Sequence, residues 1–95
     1  MVIKIRSLVP GADTADQGTK VYPQIKAALD GGQYITISFD GVQTATSSFV
    51  RTAFVGLLKE WSFSDLKARM KIVDSTRQIN QMIKTRLERE ALVDA

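Results

Sequence analysis

The sequence contains neither cysteine nor histidine. Without cysteine there is no disulfide, no thiolate nucleophile and no iron–sulfur ligand. Without histidine there is no general base of the usual kind near neutral pH, and the commonest zinc ligand is missing. We therefore expect a protein that is not an enzyme and that works by binding or by being modified.

Long apolar runs are also missing. No segment approaches the roughly 18 apolar residues that a membrane span requires, and residues 1–9 alternate instead of forming the apolar core of a secretory signal. We expect a cytoplasmic protein with no membrane segment. The formal net charge of +3 is too small by itself to drive binding to nucleic acid. The length predicts a single domain over residues 1–95, and the apolar fraction of 44% suffices for one modest core.

Three segments have the pattern of β-strands. Residues 2–9 and 33–39 alternate between apolar and polar side chains, which is the period of a half-buried strand. Residues 69–74 repeat the pattern more briefly. Turn-forming residues follow the first two strands, in the polar loop 11–18 and at Asp40-Gly41.

Three segments have the spacing of amphipathic helices, at residues 19–30, 47–60 and 76–92. In the first, Thr19 is the expected N-cap and Pro23 is expected in the first turn, where its missing N–H costs least. Gly31-Gly32 is expected to end that helix. Residues 62–68 are predicted to form a connection with one helical turn at 64–67. Asp74 or Ser75 is the expected cap of the last helix.

The order β-α-β-α-β-α predicts an α/β fold with a small, largely parallel sheet. Each strand has only one strongly apolar face, so we expect two layers with the helices mainly on one face of the sheet. The other face would then be either solvated or a docking or dimer surface. It is predicted to carry Lys4, Arg6, Thr36, Ser38 and Lys71.

One stretch carries a family resemblance. Residues 35–59, ITISFDGVQTATSSFVRTAFVGLLK, combine an apolar strand (35–39), a Gly41-Val42 turn and the helix start Ser47-Ser48-Phe49. This pattern resembles the STAS domain of anti-sigma-factor antagonists, and is most similar to the compact STAS-like proteins of bacteria and phages. The flanking elements agree in order and length.

The resemblance implies a regulatory protein–protein interaction module. In the antagonists a partner kinase phosphorylates a serine at the start of this helix; that serine matches Ser48, and Ser47 precedes it. The resemblance also implies a protein partner of the histidine-kinase-like ATPase or kinase class. The phosphorylation candidates are thus Ser48 and Ser47, and the predicted partner-binding residues are Asp40, Gly41, Thr46, Ser47, Ser48 and Arg51.

Several alternatives stay open from the residues alone. Thr46, Ser47 and Ser48 are also typical helix caps. Basic residues on the last helix and the Lys4 face suggest a nucleic-acid-associated module, although only seven aromatic residues are available for base stacking. The turn 40–48 suggests a phosphate- or nucleotide-binding accessory module. A homodimer is a further alternative. We expect neither a cofactor nor a metal site, because Asp13, Asp16 and Asp40 are read as solvated turn residues.

Overall fold

The sheet of this protein has three short parallel strands. The computed structural model describes the backbone of residues 1–94 and the side chains of residues 1–91. The strands are β1 (Val2–Lys4), β2 (Ile35–Ser38) and β3 (Met70–Val73), in spatial order β1-β2-β3 with both pairings parallel. They therefore add in chain order in one direction, as the order of elements predicts.

Helices fill the connections between the strands and follow the last one. They are α1 (Ile5–Leu8), α2 (Ala15–Asp30), α3 (Ser47–Phe54), α4 (Phe63–Arg69) and α5 (Arg77–Asp94). A 3-10 helix, Val55–Lys59, continues directly from α3. No helix in the described part of the chain combines the length and the apolar character needed to cross a membrane.

One face of the sheet is packed in the core and the other is open. Ile3 and Ile37 stand side by side on the packed face, and both are buried. Val2, Lys4 and Lys71 belong to the opposite face and are exposed. The predicted α/β fold with a small parallel sheet and helices on one face is therefore confirmed.

The first strand is shorter than predicted. The alternation over residues 2–9 predicts one strand, but only Val2–Lys4 is extended and Ile5–Leu8 forms a helical turn. The Val9 N–H donates to the Ile5 carbonyl at 3.0 Å, and both side chains are buried. Their spacing of four residues suits a helical turn as well as a strand, so the period does not decide between the two.

Two residues predicted to be exposed on the open sheet face differ from that prediction. Arg6 belongs to the helical turn α1, and its Nη1 lies 3.4 Å from the Gly41 carbonyl oxygen, at the turn after β2. Ser38 pairs with Lys4 on the open face, as predicted, but it is only 3% exposed, and its hydroxyl donates to Asp74 Oδ2 at 2.8 Å. Placing Arg6 on the sheet was wrong, and so was the expectation that Ser38 is exposed.

Helix α2 begins earlier than predicted. Its N-cap is Thr14 and not Thr19: Thr14 Oγ1 accepts from the Gln17 N–H at 3.2 Å, and the Gln17 side chain accepts in return from the Thr14 N–H. This reciprocal capping box satisfies two N–H groups at the helix start. Pro23 consequently lies inside the helix and not in its first turn. The helix ends where expected, at Gly31.

The helices after β2 also differ in extent from the predictions. Helix α3 starts at Ser47 as expected, but α-helical geometry ends at Phe54 and the 3-10 helix replaces the rest. Residues 62–68 form most of a true helix, α4, because Ser62 caps it by accepting from the Asp65 N–H at 3.0 Å. Thr76, one residue beyond the predicted cap, accepts from the Ile79 N–H at 3.2 Å at the start of α5.

Helices α2 and α3 approach closely at a glycine. Gly18 is buried, and a β-carbon at this position would lie 2.5 Å from the Phe49 carbonyl oxygen and would overlap Thr52 Oγ1. Thr52 Oγ1 also donates to the Ala15 carbonyl at 2.9 Å. The crossing therefore fixes the first turn of α2 against α3.

An ion pair joins the end of α2 to the end of the 3-10 helix. Lys26 Nζ lies 2.7 Å from Asp30 Oδ2 and 3.2 Å from Glu60 Oε2. The hydrogen bond to Asp30, followed by that to Glu60, raises the pKa of Lys26 above its usual 10.5, against the opposing effect of desolvation. Exposed ion pairs of this kind add little stability in water.

Candidate functional site

The candidate site lies at the edge of the sheet where the strands end. All three strands are parallel, so the segments that follow them emerge at the same edge. Each of these segments leads into a longer helix that starts with a threonine cap: Thr14 for α2, Thr46 for α3 and Thr76 for α5. Open α/β sheets commonly bind their ligands at this edge.

Thr46 is the residue that caps α3. Its Oγ1 accepts from the Phe49 N–H at 3.2 Å and donates to the Asp13 carbonyl at 2.9 Å. Its backbone N–H donates to the Ala12 carbonyl at 3.0 Å. The helix start is thereby bonded to the segment before α2. Because Thr46 provides the cap, neither of the following serines is needed for it.

Ser47 and Ser48 are both exposed in the first turn of α3. The Ser47 hydroxyl lies 3.2 Å from Arg86 Nη1, which donates to it. The Ser48 hydroxyl makes no hydrogen bond to any residue whose side chain the structure describes. Thr52 Oγ1 lies 3.1 Å from the Ser48 carbonyl oxygen, but the shortest contact of this hydroxyl is with the Ala15 carbonyl, at 2.9 Å. Of the two candidates, Ser48 thus has a hydroxyl without a partner among the described residues, and Ser47 has a cation beside it.

Arg86 is a site residue that the sequence analysis assigned only to the basic last helix. It lies seven residues after Ile79 and three after Ile83, on the same stripe of α5 as these buried side chains. Its Nε lies 3.5 Å from Glu90 Oε1, and this buried Nε has no hydrogen-bond partner among the described residues. An arginine at a core-facing position of a helix was the signal in the sequence that its side chain contacts a neighbouring element.

The loop between β2 and α3 is held in place by α5. The Gln78 side-chain amide bonds to both backbone groups of Ala45, accepting from its N–H at 2.9 Å and donating to its carbonyl at 3.0 Å. Thr76 Oγ1 donates to the Gln43 carbonyl at 3.0 Å. The approach to Ser47 and Ser48 is therefore a fixed surface built by two elements far apart in sequence.

Asp40 and Gly41 form the turn that leaves β2. Gly41 has φ of +82°, a conformation that side chains rarely adopt, and the Val42 N–H closes the turn on the Phe39 carbonyl at 2.8 Å. A β-carbon at Gly41 would also lie 2.8 Å from Arg6 Nη1. Asp40 is exposed. This predicted turn is confirmed, and Arg6 is added beside it.

The ends of β2 and β3 are joined by a buried hydroxyl. Ser38 Oγ donates to Asp74 Oδ2, as described above, and accepts from the Asp40 N–H at 3.3 Å. Asp74 itself has φ of +55°, a left-handed conformation that aspartate adopts more readily than most residues other than glycine. The Ser38 bond helps to hold Asp74 in this conformation at the candidate site.

The structure therefore brings the predicted residues to one edge but does not gather them into a catalytic or metal-binding cluster. Arg51 is exposed on α3, as expected. Within the described part of the chain, no three carboxylates come together in a way that would hold a metal ion. The arrangement offers a continuous polar surface with cations at its borders, suited to contact with another molecule.

Comparison with known proteins gives one match. The model of the STAS-like domain of unknown function (DUF4325) matches residues 17–80, from the first turn of α2 to the first turn of α5. No curated protein and no solved structure matches the chain. The matched residues cover more than half of the chain and include β2, the 40–46 loop and the serine pair. The chain therefore belongs to the family of STAS-like domains.

Proposed function

We propose that this STAS-like domain is a regulatory protein-interaction module that is switched by phosphorylation at the start of α3. The observation that carries the proposal is the division of roles between Thr46 and Ser48. Thr46 caps the helix and bonds to the Asp13 carbonyl, whereas the exposed Ser48 hydroxyl has no such structural task in the described chain. A serine that packing and capping leave free is available for modification.

The helix start also suits the charge that a phosphoryl group brings. Phosphorylation adds about −1.5 to −2 charges at neutral pH. At the N-terminus of a helix these charges meet unpaired N–H groups and the positive end of the helix dipole. Modification of Ser48 would therefore leave the fold intact while inverting the local charge that a partner meets.

The partner-binding surface in this proposal consists of the turn after β2 and the first turn of α3. The STAS resemblance makes a histidine-kinase-like ATPase or kinase the preferred partner. The residues that would meet it are Asp40, Gly41, Thr46, Ser47, Ser48 and Arg51. The bonds from α5 to the 42–46 loop support this choice, because a fixed loop presents one defined shape.

The test is a pull-down from extracts of the source organism, using wild-type protein, Ser48→Ala and Ser48→Asp. Bound proteins and phosphorylated serines are identified by mass spectrometry. Ser64→Asp is the matched control, because Ser64 is exposed and is the second residue of α4, as Ser48 is of α3. We expect one ATPase or kinase to bind wild type and Ser64→Asp but not Ser48→Asp.

Two results would contradict this proposal. The first is that wild type and all variants capture the same proteins. The second is that a partner distinguishes wild type from the Ser48 variants although Ser48 is never phosphorylated in protein isolated from cells. In the first case Ser48 would be an ordinary surface residue of α3. In the second it would belong to a contact surface that phosphorylation does not switch.

The alternative of a nucleic-acid-associated module receives less support. Arg6 lies at the Gly41 turn, so the predicted basic sheet face retains only Lys4 and Lys71 of its three cations. Arg86 is likewise directed to Ser47 and Glu90. Binding to single-stranded DNA or RNA that weakens steeply with salt would favour this alternative.

A further inference from the structure

An apolar groove lies on the opposite flank of α5 from Ser47. It has a volume of about 270 Å³ and opens to solvent between α4, β3 and α5. Its apolar lining consists of Phe63, Leu66, Met70, Ile72, Ile83 and Leu87. Concave, mostly apolar sites with a few polar groups are the usual form of small-molecule sites.

The groove lies at an open end of the sheet. Strand β3 is an edge strand, and in the described chain no further strand pairs with its outer side. Met70 and Ile72 of this strand are only partly buried, although they point to the packed face of the sheet. The described side chains, those of residues 1–91, therefore leave apolar surface uncovered here, in contrast to the buried side chains at Ile3 and Ile37.

Two lysines give the groove a definite charge. Lys67 and Lys84 line it, together with the neutral amide Asn80, and no acidic residue does. Neither ammonium group lies within 4.0 Å of a carboxylate among the described residues. Lys67 Nζ lies 5.5 Å from the centroid of the Phe63 ring, so the cation is held over the apolar wall.

We propose that this groove binds an aliphatic monocarboxylate, with its tail on the apolar lining and its carboxylate between Lys67 and Lys84. The groove of about 270 Å³ has room for a medium-length aliphatic tail along its apolar lining, and a ten-carbon chain serves as the probe. The site is independent of the phosphorylation proposal, because it uses the other flank of α5.

A second copy of this chain fits the groove less well. The commonest dimer has a two-fold axis, which places the same patch on both subunits. Two such patches would bring four lysines, Lys67 and Lys84 of each copy, to one apolar interface with no acidic residue in its lining, and like charges in such a place oppose association. An anionic ligand instead compensates both lysines.

The experiment is an NMR titration of the full chain with decanoate, kept below its micelle concentration, with decanol as the uncharged probe. We expect saturable shifts at residues 63–72 and 80–87, and binding of decanol about tenfold weaker. The double variant Lys67→Ala/Lys84→Ala should also bind decanoate with about tenfold lower affinity, because two exposed ion pairs with its carboxylate are lost. The matched control is Lys20→Ala/Lys71→Ala, which removes two exposed lysines outside the groove.

A second variant tests the shape of the site. Met70→Trp places a larger side chain in the groove and should abolish saturable binding. The proposal is overturned if decanoate shifts do not saturate, if they map elsewhere, or if the two lysine variants behave alike. It is also overturned if the groove resonances respond to protein concentration through dimerisation, or only to anionic lipid vesicles and not to free decanoate.

Discussion

The crossing of α2 and α3 makes Gly18 the most sensitive small residue in the structure. A β-carbon here would lie 2.5 Å from the Phe49 carbonyl oxygen and 3.0 Å from the Ala53 nitrogen. These are backbone atoms, so a rotation of a side chain does not relieve the contact. The substitution Gly18→Ala must therefore push the two helices apart, and the Thr52 bond to the Ala15 carbonyl is the first to lengthen.

The expected cost follows from two opposing effects. Overpacking of a close contact typically costs about 1–3 kcal/mol. Replacing glycine with alanine also stabilises the folded state by about 0.4–1 kcal/mol, because the unfolded chain then has fewer conformations to lose on folding. We expect a net loss of about 1–2 kcal/mol in the free energy of unfolding. For a domain of this size that lowers Tm by roughly 5 to 15 °C.

Thermal and urea denaturation, followed by circular dichroism, measure this loss. Gly31→Ala is the matched control: its φ is −76°, and its β-carbon would lie 3.5 Å from the nearest atoms, an ordinary contact. The control shares the effect on the unfolded chain but not the clash, so it should be neutral or slightly stabilising. If Gly18→Ala proves as stable as Gly31→Ala, the close approach of the helices inferred here is wrong.

Substitutions at three further positions test individual elements by the same denaturation measurements. Thr46→Ala should lower the free energy of unfolding by about 1–2 kcal/mol through loss of the cap, and Thr46→Ser should restore most of it; equal losses in both would refute the capping role. Pro23→Ala should raise Tm, since proline inside a helix costs about 3 kcal/mol and only about 1 kcal/mol returns through the unfolded chain; a lower Tm would mean that the ring makes a packing contact. The raised pKa of Lys26 contributes stability that is complete below its unfolded pKa and is lost as pH rises through the folded pKa. The difference in free energy of unfolding between wild type and Lys26→Met should therefore shrink above about pH 10.5 and in high salt. If neither condition changes that difference, the aliphatic stem of Lys26 stabilises the protein by packing and the ion pair does not.

The order of elements and the buried strand faces were predictable because they depend on simple periods. Residues 35–38 and 70–73 lie within the predicted strands, and α3 starts at the predicted residue. The resemblance that located Ser47 and Ser48 depended on the same region. The second and third strands and the start of α3 were therefore placed correctly, whereas the start of α2 and the end of α3 were not.

The errors arose where one pattern has two meanings or where a distant residue decides. Ile5 and Val9 fit a strand and a helical turn equally, and the turn prevails in the structure. The burial of Ser38 depends on Asp74, 36 residues away. Arg86 was counted only among the basic residues of the last helix, because its partner, Ser47, is 39 residues away. By contrast, the Thr14-Gln17 capping box was readable in the sequence and was missed because the loop 11–18 looked uniformly polar.

The two hydrogen bonds from Gln78 to Ala45 bear on how the surface beside Ser47 meets a partner. A loop that folds only on contact loses conformational entropy at that moment, and affinity falls accordingly. Here the side-chain amide of α5 already occupies both backbone groups of the loop residue, much as a neighbouring strand would. The loop is thus already ordered in the free protein. Substitutions that rigidify residues 42–46 should therefore add little to the affinity for a partner. Substitution of Gln78, which lies outside the predicted contact surface, would remove these two bonds and should weaken binding by making the loop flexible.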